Sequence, residues 1–418
     1  MGLTAGIAAL GMTAGLSGCG SDGGSSAGDA TLSMVVANYD PNDGDSTQKY
    51  WDGVISTFEN NNPGIKVDVK VLSWKVVDSE VAKMVKAGHA PDIAQIGAYA
   101  DYAAQGKLYS ADDLLSIPVQ ANFLGPLADA GEQDRKQYGM PFVASTRLLF
   151  YNEKLFDAAG LTPPKTWDQL ASDASVLKAR GVKYPYALPL GSEEAQAETQ
   201  MWLLSGGDGY TDGVGTYTIN SPQNIKTLDW LKTHLVGKDL VGPVTPGQLD
   251  RKDAFAAFTK GQVGMLNGHP QLMQQAEDKG IKVGKVPMPG INGTAKTTMG
   301  VSDWIMGFRQ NGHRAQIGKF LDYVFNDRNV LEFATTYDLL PPTVSASDKL
   351  SDDPKHKELK KFLDELPTSQ LPPVGKTSWA QVSDTIKKQI GKAVQPDGNP
   401  ESVLNQIQNT ASAAQSAE

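Results

Sequence analysis

A regular succession of strand and helix patterns near the start of the chain most strongly constrains the fold. An apolar run at residues 32–37 is followed by a helical pattern at 51–58, whose apolar residues recur at the i, i+3, i+4, i+7 spacing of one buried face. Residues 65–71 then alternate between apolar and charged, as a half-buried strand does. A second helical pattern at 77–85 leads to a short apolar run at 92–96. This βαβαβ order predicts an α/β domain with a mainly parallel sheet.

The rest of the chain is richer in helix patterns and too long for one core. Thr166 to Gln169 has the pattern of a capping box, and Ser221-Pro222 supplies a helix N-cap followed by proline. Further apolar stripes at helical spacing occur at 225–235, 255–258 and 317–325. Because 418 residues exceed what one ordinary hydrophobic core contains, two domains are expected.

Charge and cysteine content exclude several classes of function. The formal net charge is −9 and no basic stripe is present, which opposes nonspecific binding to nucleic acid. The chain has 1 cysteine, so no disulfide can form within it. No stretch after the first 19 residues approaches the roughly 20 apolar residues that span a bilayer.

Catalytic signatures lack the context that they require. A G-x-S-x-G pattern occurs at 24–28, but no strand pattern precedes it and no helix pattern follows it. The 5 histidines are scattered without metal-ligand spacing, and neither a Walker loop nor a G-x-G-x-x-G is present. We therefore predict that the protein is not an enzyme and needs no metal or other cofactor.

The amino-terminal residues resemble a bacterial lipoprotein signal. Leu16-Ser17-Gly18-Cys19 resembles a lipobox; the eighteen residues before Cys19 are uncharged, and a Gly/Ser/Asp run follows it. The resemblance departs from the usual pattern because the first basic residue is Lys49. It implies a signal segment at 1–19, lipid attachment at Cys19, a flexible linker at 20–30, and a location on the extracellular face of the cell membrane.

Several segments resemble, in the right order, the family 1 extracellular solute-binding proteins, which are the maltose-binding-like receptors of ABC importers. Residues 138–170 resemble the crossover region of that family, and 58–67 resemble its first helix end and second strand. Ala90-Pro-Asp-Ile93 resembles the third strand. Residues 258–265 resemble the F-x-x-G-x-x-A-M stretch, with Gly264 where alanine is usual. Two later segments, Gly300–Ile305 and Leu339–Thr343, resemble the returning strand and the late hinge.

The resemblance implies a periplasmic-binding-protein-like α/β fold of two lobes with a ligand cleft between them. The amino-terminal lobe would comprise 30–143 and 303–337, and the carboxy-terminal lobe 146–300 and 340–418. The hinges would lie near 143–147, 300–303 and 339–342. The implied function is that of a monomeric receptor that captures a mono- or oligosaccharide and delivers it to an ABC permease, attached to the membrane through its lipid anchor only. Alternatives are the same fold binding a glycerophosphodiester or another polar metabolite, or an exported hydrolase.

Candidate ligand contacts combine hydrogen-bonding groups with flat aromatic faces, because sugars offer hydroxyls and apolar C–H faces. Most of them follow predicted strands or lie on the implied hinges, where open α/β sheets bind ligands. The candidates are Tyr39, Asp40, Trp74, Tyr99, Asp101, Thr146, Arg147, Glu194, Glu198, Trp202, Asn267, His269, Ser302, Asp303, Trp304 and Trp379. Purely structural roles remain open at this stage: core packing for the tryptophans, a hinge salt bridge for Arg147, an N-cap for Asp101 and a loop hydrogen bond for His269.

Overall fold

The structure is a computed structural model that describes residues 29–40, 44–294 and 297–418. The predicted lipid attachment at Cys19, the signal segment and most of the linker lie outside these residues. The strands are β1 Ala30–Ala37, β2 Ile65–Leu72, β3 Ile93–Ile96, β4 Glu132–Gln133, β5 Lys136–Gln137, β6 Met140–Thr146, β7 Leu148–Asn152, β8 Tyr184–Tyr186, β9 Val263–Gly268, β10 Val283–Val286, β11 Pro289–Gly290, β12 Gly293–Thr294 and β13 Gly300–Gly307.

Helices occupy most of the remaining chain. The α-helices are α1 Ser46–Asn61, α2 Val77–Lys86, α3 Ala100–Ala104, α4 Ala111–Leu114, α5 Ile117–Gln120, α6 Gly125–Ala130, α7 Glu153–Ala159, α8 Trp167–Ala179, α9 Ala195–Gly206, α10 Pro222–Trp230, α11 Arg251–Phe258, α12 Pro270–Glu277, α13 Arg314–Val324, α14 Asp327–Thr336, α15 Val344–Asp352, α16 Lys360–Glu365, α17 Trp379–Ala393 and α18 Pro400–Gln415. A π-helical segment lies at Leu231–Val236, and 3₁₀ segments lie at Pro246–Gln248, Pro354–Leu359 and Leu366–Thr368.

The first sheet has the order β2-β1-β3-β13-β6. Strand β1 pairs in parallel with β2 and β3, as the βαβαβ pattern predicts. Strand β13 is antiparallel to both β3 and β6, so it is the single strand in this sheet that runs against the others. On the edge strand β2, Ile65 and Val67 are buried whereas Lys66 and Asp68 are exposed, which confirms the predicted half-buried alternation.

The second sheet has the order β10-β7-β9-β8. Strands β8 and β9 are parallel, and β7 is antiparallel to both β9 and β10. Each large sheet therefore has one reversed strand among otherwise parallel ones, and helices pack against both sheets. The predicted helix cap at Thr166 is present, because its side chain accepts a hydrogen bond of 3.1 Å from the Gln169 backbone N–H.

Each sheet has its own hydrophobic core, and a third cluster joins them. One core contains Trp51 and Trp304, and the second contains Trp167 and Trp202. The third cluster combines Leu127 with residues such as Leu340 and Phe362. Thr343 also forms a β-bridge with Phe123. The stretch that follows residue 340 therefore packs against both lobes, which corrects the expectation that 340–418 belongs to the second lobe alone.

Candidate functional site

The chain passes between the two sheets at three segments that lie side by side. Arg147 is the single residue between β6, in the first sheet, and β7, in the second. The β6 strand pairs with β13 from Thr146 opposite Gly300 onward. Its residue Ala144 exchanges two backbone hydrogen bonds of 2.8 Å with Leu340. The positions where hinges were expected are thus neighbours in space.

A cleft of about 870 Å³ opens beside these crossings and is lined from both lobes. Half of the sixteen predicted ligand contacts line it: Tyr39, Asp40, Trp74, Arg147, Glu194, His269, Ser302 and Asp303. We call the side formed by Tyr39, Trp74 and Asp303 the first wall. The side formed by Arg147, Glu194, Arg251 and His269, together with Glu193, which pairs with Arg251 but does not itself line the cleft, is the second wall.

The first wall is organised by a chain of two hydrogen bonds that ends on a carboxylate. Gln95 on β3 donates to the Tyr39 hydroxyl at 2.8 Å, and that hydroxyl donates to Asp303 Oδ2 at 2.7 Å. Burial raises the pKa of Asp303 to about 6, and the hydrogen bond from Tyr39 partly opposes this rise. The Asp303 carboxyl is therefore held in a fixed orientation where the first sheet borders the cleft.

Trp74 supplies the accessible aromatic surface of the first wall. It follows β2, and its ring meets the Tyr39 ring edge-on, with centroids 5.4 Å apart and an interplanar angle of 81°. Trp74 is 37% exposed, whereas Tyr39 and Tyr337, which also line the cleft, are 8% and 4% exposed. A flat apolar face is thus available to a ligand mainly at Trp74.

The second wall is a network of paired charges. Arg147 Nη2 donates to Glu194 Oε1 at 3.0 Å, and Arg251 Nη2 donates to Glu193 Oε1 at 3.0 Å. The other oxygen of Glu194 forms an ion pair with Arg251 Nε. Arg147 is only 7% exposed, so Glu194 compensates a buried positive charge. Two guanidinium groups and two carboxylates make this network electrically balanced.

His269 completes the second wall at the start of α12. Its Nδ1 lies 3.4 Å from the Leu272 backbone nitrogen, which makes it the helix N-cap, and its Nε2 lies 3.5 Å from Arg251 Nη1. Burial and the two nearby arginines hold the pKa of His269 well below its usual value. The ring is therefore neutral at physiological pH.

Glu198 and Asn267 lie directly behind Arg147 and Glu194 rather than on the main cleft. Glu198 Oε1 accepts hydrogen bonds from Trp202 Nε1 and Asn267 Nδ2, both at 3.0 Å. Burial raises the pKa of Glu198 to about 7, although these donors favour its charged form. Both residues support the second wall from behind.

Besides Glu198 and Asn267, six predicted contacts do not line the cleft. Tyr99 and Trp304 are 1% and 0% exposed and pack edge to face in the first core, and Trp202 is 0% exposed in the second core. Their bulk fills the lobes, which corrects the expectation that they face a ligand. The others are Thr146, which is buried and donates to the Phe362 carbonyl; Asp101, which is exposed on α3; and Trp379, which packs against Tyr210.

Sequence reasoning missed much of the polar lining that α12 contributes. Gln271, Gln274, Gln275 and Asp278 line the cleft at the i, i+3, i+4, i+7 spacing of one helix face. This polar spacing directly after His269 can be seen in the sequence and could have identified the helix face that lines the cleft. Arg251, the first residue of α11, was also missed, because its partner Glu193 lies 58 residues away along the chain.

Two kinds of feature, a metal-holding cluster and a membrane-spanning helix, are absent from the described part of the chain. Residues 29–40, 44–294 and 297–418 contain no group of three or more His, Cys, Asp or Glu side chains arranged to hold a metal ion. No helix in these ranges is long and apolar enough to cross a membrane.

Comparison with known proteins places the chain in a family. The model of the bacterial extracellular solute-binding proteins matches residues 43–330, and the chain belongs to this family. A Brucella abortus protein described only as a putative binding protein is 27% identical over 387 residues, covering 91% of this chain and 92% of that protein. The sn-glycerol-3-phosphate-binding periplasmic protein UgpB of Escherichia coli K12 is 28% identical, over 50% of this chain and 49% of its own length.

Solved structures show the same two-lobe fold. The cyclic alpha-maltosyl-1,6-maltose binding protein of Arthrobacter globiformis superposes with a TM-score of 0.78 at 17% identity, covering 94% of this chain and 100% of that one. Maltose-bound MalE3 of T. maritima gives a TM-score of 0.74 at 19% identity, covering 92% and 99%. The expected two-lobe periplasmic-binding-protein-like fold is confirmed.

Proposed function

We propose that this protein is an extracytoplasmic receptor that captures a carbohydrate between its lobes and delivers it to the permease of an ABC importer. The observation that carries the proposal is the polar cleft of about 870 Å³, lined from both lobes and containing one well-exposed tryptophan. Family membership supports a binding role rather than catalysis, and we propose that the protein performs no chemistry.

The chemistry of the walls suits a neutral polyhydroxylated ligand. Carboxylates and glutamine amides can accept from and donate to sugar hydroxyls, and Trp74 can stack on the C–H face of one ring. The solved neighbours named for maltose and cyclic maltosyl-maltose support a sugar on the same fold. We place the predicted contacts Tyr39, Asp40, Ser302 and Asp303 on the ligand's first-lobe side.

A glycerophosphodiester or another phosphate-bearing ligand is the second candidate, favoured by the partial match to UgpB. The charges of the cleft argue against it. Five carboxyl side chains and three basic ones line the cleft, and the two arginines are paired with Glu193 and Glu194. A phosphate site usually collects arginines that are not already paired with carboxylates. We therefore rank the sugar first.

Closure and anchoring complete the proposal. We propose that the lobes close about the three neighbouring crossings near 143–147, 300–303 and 339–342, because a ligand that touches both walls favours the closed state.

We further propose that the protein acts as a monomer and is held at the outer face of the membrane through a lipid on Cys19. A Cys19→Ala variant should then appear in the culture medium, and retention at the membrane would contradict the anchor.

Titration calorimetry with a panel of mono- and oligosaccharides and with sn-glycerol 3-phosphate tests the ligand class. We expect saturable binding of at least one sugar and none of the phosphate. Binding of the phosphate alone would favour the second candidate, and no saturable binding of any sugar would overturn the proposed function.

A further inference from the structure

Two hydrogen-bond donors compete for the ring of His269. Nδ1 lies 3.4 Å from the Leu272 backbone nitrogen, and Nε2 lies 3.5 Å from Arg251 Nη1. Both neighbours carry hydrogen and can only donate. His269 is 9% exposed and lines the cleft, so the hydrogen-bonding state of its ring affects which groups the cleft can hold.

A neutral imidazole can satisfy only one of these donors. Burial together with Arg147 and Arg251 keeps the ring neutral, and a neutral ring has one nitrogen that accepts and one that carries hydrogen. Whichever nitrogen accepts, the other presents an N–H to a neighbouring donor. The choice between the two tautomers therefore decides what the cleft offers to a ligand.

The helix cap determines which nitrogen accepts. Leu272 is 0% exposed and lies in the first turn of α12, where its N–H has no partner within the helix. Leaving that N–H without an acceptor would incur the full desolvation penalty of a buried donor. Arg251 already has Glu193 and Glu194 as partners. Nδ1 therefore accepts from Leu272, and Nε2 carries the hydrogen.

Three donors then meet on the second wall: the Nε2–H of His269, Nη1 of Arg251, and the guanidinium of Arg147. Within the described part of the chain, the Arg147 guanidinium forms an ion pair only with Glu194, and the one polar group within hydrogen-bonding distance of Arg251 Nη1 is on His269. We call these three side chains the donor corner. All three line the cleft.

We propose that the donor corner binds a hydrogen-bond acceptor oxygen on an uncharged group of the ligand, and that His269 is a specificity-determining residue for that oxygen. The group is uncharged because Glu193 and Glu194 already balance the two arginines. A hydroxyl or carbonyl oxygen gains these donors, whereas a carboxylate or phosphate would also be repelled by Glu194, which lines the cleft. This inference rests on the proposed sugar-binding function.

Two substitutions separate the donor role of His269 from its capping role. His269→Asn keeps an N-cap acceptor near the backbone but removes the donor at the Nε2 position. His269→Gln keeps an N–H near the Nε2 position but loses the favourable cap. We expect His269→Asn to unfold at the wild-type temperature and to bind the sugar found in the panel about tenfold more weakly. His269→Gln should melt earlier and keep its affinity within about threefold. Equal affinities for the two variants would overturn the proposal.

Deoxy analogues of the bound sugar identify the oxygen. One analogue, lacking the hydroxyl that the corner holds, should bind wild type more weakly but show no further loss in His269→Asn, because both changes remove the same hydrogen bond. If the affinity loss from His269→Asn adds to the loss from every deoxy analogue, no removed hydroxyl contacts His269, and the proposed contact is contradicted. Tighter binding of glucuronate and galacturonate than of glucose and galactose would contradict the proposal that the donor corner holds an uncharged group.

Nitrogen-15 NMR of the imidazoles in the full chain tests the tautomer without any ligand. His269 signals, identified by their disappearance in His269→Asn, should show a neutral ring with hydrogen on Nε2 at neutral pH. Hydrogen on Nδ1, or a charged ring, would overturn the donor assignment. If no sugar binds, the proposed function fails and the ligand assignment falls with it, while the NMR result decides the donor on its own.

Discussion

The two walls of the cleft hold their polar groups in different ways. The first wall fixes Asp303 with one hydroxyl, which is itself held by the buried amide of Gln95. The second wall fixes its groups with ion pairs, in which Glu194 links Arg147 to Arg251. A hydrogen bond to a carboxylate contributes about 2 kcal/mol to stability, whereas leaving a buried charge without a partner costs about 3 to 5 kcal/mol. The two walls should therefore respond very differently to the loss of one side chain.

The largest effect is expected on the second wall. Glu194→Ala leaves the buried Arg147 guanidinium without an ion-pair partner among the described residues, and we expect the free energy of unfolding to fall by about 3 kcal/mol. Urea denaturation measures this loss. Glu193→Ala is the matched control, since Arg251 retains Glu194, and it should cost less than about 1 kcal/mol. Equal losses for the two variants would show that Glu194 has no special position in the network.

On the first wall, Trp74→Ala should affect binding more than stability. It removes the accessible aromatic face, and we expect the Kd for the sugar to rise about tenfold in calorimetry. The unfolding free energy should fall by less than about 1 kcal/mol, because the indole is 37% exposed. Val76→Ala, another exposed apolar residue nearby, should leave the Kd unchanged. A tryptophan variant with wild-type affinity would exclude stacking at this wall.

Tyr39→Phe tests the hydrogen-bond chain of the first wall. The variant removes the hydroxyl between Gln95 and Asp303, and we expect a loss of about 2 kcal/mol in the unfolding free energy, because this hydroxyl donates to a carboxylate. Because that hydroxyl stabilises the Asp303 carboxylate, its loss should also raise the pKa of Asp303 further. Tyr337→Phe, which loses a hydroxyl contact to Ser46 instead, should leave the titration of Asp303 unchanged. A loss of several kcal/mol in the unfolding free energy would mean that the polar groups of the first wall depend on one another as strongly as those of the second wall.

The pH dependence of stability isolates Asp303. Its folded-state pKa of about 6 lies above the usual value near 3.9, so between these values the folded state binds more protons than the unfolded state. Wild type should therefore lose stability as the pH rises through this window, whereas Asp303→Asn does not titrate. We expect the variant to gain about 2 kcal/mol relative to wild type between about pH 4 and about pH 7 in urea denaturation. Asp101→Asn, at an exposed site, should show no such gain.

The candidate site could be predicted only in part, and β13 shows why. Both Asp303 and Trp304 were predicted as ligand contacts from their place in a returning strand. The pairing of β13 with β6 shifts register between these two residues; Asp303 lines the cleft, whereas Trp304 packs on Tyr99 in the core. No local pattern in the sequence predicts where such a register shift falls.

What the sequence by itself determined is the order of elements in residues 32–96, several later helices and the family. Apolar spacing placed the strands and helices of 32–96 correctly, because period and capping are local properties. The tertiary structure alone decided which polar groups meet: Tyr39 contacts Asp303 across 264 positions, and Arg147 pairs with Glu194 across 47. Contacts between distant parts of the chain depend on the crossing of the two lobes, and no local pattern encodes them. The same crossing brings together the charges that balance one another on the second wall and places the His269 ring beside them.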